Sequence, residues 1–74
     1  MAFDYSKLRG RIIEKFGSQM SFAEAMDISE RTLSLKLSGK RMWKQSEICL
    51  AINLLGLSDD DIKEYFFVLK VQMI

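Results

Sequence analysis

The sequence contains no proline and no histidine, a single cysteine (Cys49) and only four glycines. Without histidine there is no imidazole general base, no Cys-His nucleophile pair, and no zinc site of the His-containing or multi-Cys kinds. One cysteine cannot close an intramolecular disulfide, and no secretory apolar stretch opens the sequence, which points to a reducing cytoplasm. No apolar run nears the roughly 18 residues that span a membrane. A nucleophile–base–orienter set and a phosphate-binding glycine loop are both missing. These absences argue against an enzyme. No cofactor, no metal, no membrane and no small-molecule substrate are expected.

What is present is a globular composition of 74 residues, 49% hydrophobic and 28% charged. That length makes one domain, 1–74, and burial of only about 60% of the unfolded surface implies modest stability. The net charge of +1 is unevenly spread. Arg31, Lys36, Lys40, Arg41 and Lys44 fall within residues 31–44 with no acid among them. A basic block in a near-neutral domain suggests a polyanion-facing surface, although an ordinary solvated loop reads equally well. Asp59, Asp60 and Asp61 suit the positive end of a helix and lack the ligand spacing of an EF-hand loop.

Apolar spacing predicts an all-α core of five helices. Leu8, Ile12 and Phe16 recur at i, i+4, i+8 over residues 5–16, with Asp4 as N-cap and Gly17 as stop. Ser18 caps a second helix carrying Phe22, Ala23 and Met26. Asp27 takes the left-handed turn position, and Ser29 caps a third helix, Glu30–Leu37, with Leu33 and Leu37 inward. Gly39 ends it. A basic loop with Met42 and Trp43 leads to a fourth helix, about Gln45–Leu55, whose inner face is Ile48, Ala51, Ile52 and Leu55. Cys49 reads there as a small, half-buried hydrophobe. Ser58 caps a short fifth helix from Asp59. The tail, 65–74, favours an extended strand, with helix still possible.

Residues 18–38 place two short helices about a tight turn, and this stretch resembles the lambda-repressor-like (Cro/CI-type) helix-turn-helix family. The likeness rests on Gln19, Ala23, Ile28-Ser29 and Gly39-Lys40. The run from Lys40 to Ile62 and the tail YFFVLKV extend it to the small phage regulators of Gram-positive bacteria. Asp27 stands where the family commonly has glycine, and Lys36 where it commonly has an apolar residue; Leu37 and Trp43 supply the missing core contact. The resemblance implies a five-helix lambda-repressor-like domain with a short extended C-terminal tail. It also implies a regulator in the bacterial host cytoplasm.

Two functions follow from the resemblance. In a Cro-like reading the third helix enters the major groove of a double-stranded DNA operator of a lysis/lysogeny switch. Arg31 then pairs with guanine, Thr32 or Ser34 meets a base or phosphate, Leu35 a thymine methyl, and Glu30 cytosine. Gln19 contacts phosphate or adenine, and Ser18, Lys40, Arg41 and Lys44 hold the backbone. In an antirepressor reading the same surface binds a partner phage repressor protein and blocks its DNA binding; Glu30 and Leu35 favour this one. As a strand, the tail would turn Phe67 and Leu69 inward. Phe66, Val68 and Lys70, with Val71 nearby, would then be available for a homodimer contact.

Overall fold

A computed structural model describes residues 3–69. The first helix, α1 (Ser6–Phe16), buries Leu8 and Ile12 and ends at Gly17. Tyr5 rather than Asp4 occupies its N-cap position, but the Asp4 carboxylate still accepts from the Ser6 N–H at 2.8 Å. Two eight-residue helices follow, α2 (Gln19–Met26) and α3 (Glu30–Leu37). The hydroxyls of Ser18 and Ser29 cap them by accepting from the N–H groups of Ser21 and Thr32. Next come α4 (Gln45–Leu54), a single 3₁₀ turn at Asp59–Asp61, and α5 (Ile62–Phe66). All five elements expected from the apolar spacing are present.

The turn between α2 and α3 is set by Asp27, at φ 59°, the one non-glycine residue with positive φ among the described residues. Its N–H bonds to Glu24 O, and that of Ile28 to Ala23 O, the paired bonds of a Schellman ending. Gly39 (φ 80°) closes α3 in the same way, with Gly39 N–H on Lys36 O and Lys40 N–H on Leu35 O. Leu8, Ile12, Phe22, Leu33 and Leu55 form the centre of one core and are fully buried. Phe16, Ile28, Trp43 and Ile48 pack against its edge.

The start of the C-terminal segment departs from the extended strand expected of it. Residues 65 and 66 belong to α5, and Phe66 is 1% exposed, whereas Phe67, Val68 and Leu69 stay open to solvent. The expected alternation is not kept: Phe66 is core rather than an outward contact, Phe67 and Leu69 are exposed rather than inward, and Val68 is exposed as expected. Helical geometry wins because Phe66 can stack edge-on against Trp43, with centroids 5.1 Å apart at 82°. The chain then turns back along its own start. Val68 O accepts from Asp4 N–H at 2.6 Å, and Leu69 bridges antiparallel to Phe3. Lys70 and Val71, the other expected contacts, lie outside the described residues.

Candidate interaction surface

The outward side of α3 and the loop after it form the surface on which the expected binding residues lie. Glu30, Arg31 and Ser34 are exposed on α3, while Thr32 and Leu35 are half-buried. Thr32 is also tied back, its hydroxyl 2.8 Å from that of Ser29. Ser18 and Gln19 sit half-buried at the start of α2, and the Ser18 hydroxyl is 3.1 Å from that of Ser21. Both capping serines thus spend their hydroxyls within the chain. Lys40, Arg41 and Lys44 are exposed in the loop. The backbone N–H groups of Lys40 and Arg41 both bond to Leu35 O, at 2.9 and 3.2 Å, so the basic loop hangs from α3.

Lys36 does not join this surface. It is 2% exposed, and its ammonium donates to Glu47 Oε1 at 2.8 Å and to Met42 O at 3.0 Å. It also lies 5.9 Å from the centre of the Trp43 ring. Glu47 Oε1 accepts in addition from Lys44 N–H at 2.8 Å, closing the first turn of α4. Burial on its own would push the Glu47 carboxyl up. The Lys36 hydrogen bond, the Lys44 N–H and both lysine charges outweigh that and hold it below its usual value. One of the five cations counted in residues 31–44 is therefore an internal tie between α3 and α4. Its i-to-i+11 partner gives no periodic signal in the sequence.

Two arginines of α1 act on the far ends of other helices. Arg9 donates to Leu37 O, the last residue of α3, at 3.1 Å. Arg11 donates through two nitrogens to Leu55 O at the end of α4, at 3.1 and 2.9 Å. A guanidinium there satisfies carbonyls that have no helical partner and meets the negative end of the helix dipole.

Apolar groups that the sequence did not single out are also on the outside. Met42 is 86% exposed and Met20 54%. Met42 lies at a groove of about 250 Å³ whose lining includes Phe3, Tyr5, Trp43, Phe66 and Phe67. The buried Nε1–H of Trp43 has no acceptor among the described residues. Cys49, expected to be half-buried, is exposed. Among the described residues no group of three or more potential ligands could hold a metal ion, and no helix is long and apolar enough to cross a membrane.

The family described as "Protein of unknown function (DUF739)" matches residues 1–68. A solved structure similar to the chain is that of the modulator of repression (MOR) of the temperate bacteriophage TP901-1 from Lactococcus lactis. It shares 53% identity, covers 97% of each chain and superposes with a TM-score of 0.80. No curated protein matches the sequence.

Proposed function

The chain belongs to the DUF739 family, and from that premise we propose that it is a phage regulator that modulates repression by binding a partner repressor protein. The contact surface is the outward side of α3, with Arg31, Ser34 and Leu35 at its centre and Gln19 and Glu30 beside them. The burial of Lys36 carries this reading. It leaves the exposed side of α3 with one cation, Arg31, next to one acid, Glu30, and a half-buried leucine. Such a face is close to neutral. A protein partner suits it better than a phosphate backbone, whose binding draws on clustered positive charge. The likeness to a modulator of repression supports the same conclusion.

Direct operator binding is the second reading, and a separate observation favours it. Lys40, Arg41 and Lys44 are exposed in one loop, and Lys40 and Arg41 enter no ion pair among the described residues. Gel shifts on the operator with the cognate repressor decide between the two. Under the first reading the chain alone leaves operator DNA unshifted and releases it from the repressor. Leu35→Glu then abolishes that release while the thermal melt hardly moves. A shift by the chain alone that weakens steeply with salt establishes the second reading. In that case Arg31→Ala costs about 1–3 kcal/mol at one base pair.

A further inference from the structure

We propose that the aromatic groove beside the α3–α4 loop is a second anchoring point, which takes one large apolar side chain of a protein segment flanked by carboxylates. The inference rests on the reading that the partner is a protein, and adds where and by what chemistry it is held. At about 250 Å³ the groove is smaller than the ~300–1,000 Å³ usual for small-molecule sites. That size suits a single side chain rather than a whole ligand. Its inner side is made by Tyr5 and Phe66, both buried, and by Trp43. Its outer side carries Met42 and Phe67, which are 86% and 46% exposed. An exposed methionine can re-form its contacts around a guest, because its chain is unbranched and polarizable.

Charge selects the occupant. Among the described residues Arg41 is the one charged residue lining the groove, Lys40 adjoins it in sequence, and neither forms an ion pair among them. An apolar side chain between Asp or Glu residues would satisfy both the rings and this rim, whereas one between lysines would be repelled. The rim is also continuous with α3. Lys40 and Arg41 are bonded through their N–H groups to Leu35 O, and Met42 O accepts from Lys36. The groove's rim is thus joined directly to the end of α3, within reach of a partner that extends past that helix.

Trp43 is the only tryptophan, so its fluorescence in the full chain reports occupancy. The probe is a synthetic peptide with one phenylalanine among aspartates and glutamates and no tryptophan. A saturable change in Trp43 emission is expected. Affinity should fall about tenfold or more when the acids become lysines, when the phenylalanine becomes alanine, and in Arg41→Glu or Met42→Asp chains with an unchanged helical spectrum. Equal binding of the lysine peptide overturns the proposal, as does no response to the acidic peptide up to millimolar concentration. An emission that depends on the chain's own concentration points instead to a second copy in the groove. A shift on removing residues 70–74 points to the chain's own end, and an equal response to duplex DNA to nucleic acid; each of these overturns it too. Lost peptide binding with repressor release intact removes the groove alone. Lost repressor release with peptide binding intact removes the α3 reading alone.

Discussion

Lys36 shows how one residue can change the meaning of a charge pattern. In the sequence it strengthens a basic block; in the fold it is spent inside, on Glu47 and Met42 O. Taking away one member of a buried pair leaves the other charge stranded, at a cost of about 3–5 kcal/mol. Lys36→Ala should fall near the lower figure, because Glu47 keeps some contact with water and still accepts from Lys44 N–H. Lys36→Met combined with Glu47→Gln should recover much of the loss, since neither replacement is charged. Urea unfolding of the single and double variants measures both. A double variant no more stable than Lys36→Ala would show that shape, not charge, holds this position.

The helices are defined at their ends as much as along their faces. At the close of α2, Asp27 holds a left-handed conformation, φ 59°, that strains any residue with a Cβ. Asp27→Gly removes that strain and is expected to stabilise the chain by about 0.5–1 kcal/mol, read as a raised melting temperature with the same helical content. The arginines of α1 act over a longer range. Arg11 holds Leu55 O and so anchors the end of α4, which makes a charge-assisted bond worth about 1.5–3 kcal/mol. Arg11→Leu should lose an amount at the low end of that range, because the side chain is partly solvated. Arg11→Lys should recover only part of it, since an ammonium cannot repeat the two-nitrogen contact. Equal stability of all three chains in urea would remove Arg11 from the account of the fold.

Across the whole molecule, acid should loosen the tie between α3 and α4. The folded Glu47 carboxyl sits below its usual value, so it binds its proton less readily folded than unfolded. Its contribution is complete above the unfolded carboxyl's range and is lost as pH falls through the lower folded value. Stability should therefore hold steady near neutrality and drop below about pH 4. Glu47→Gln should be less stable near neutrality and should flatten part of that acid slope. Urea midpoints across pH for both chains test this, and identical slopes would count against it. The same molecular scale decides the side on which Phe66 lies. Five apolar residues between Phe66 and Val71 carry no periodicity long enough to separate strand from helix. Phe66 was assigned by what it meets, Trp43, and not by its neighbours in sequence.

Caps, stops and apolar spacing are local, acting within about four residues along the chain. For that reason the order of helices was legible in the sequence: Ser18 and Ser29 as caps, Asp27 and Gly39 as endings, and Leu8, Ile12, Phe22 and Leu33 as core. The residues on the outward side of α3 were legible too, because Leu33 and Leu37 orient that helix. Tertiary structure decided the rest. It buried Lys36, sent Arg9 and Arg11 to the ends of α3 and α4, exposed Met42 and Cys49, and joined Phe3 to Leu69. Each of these depends on which distant elements meet or on which way a loop faces. The energy of such contacts lies in desolvation and pairing between groups far apart in sequence, and no local pattern encodes it.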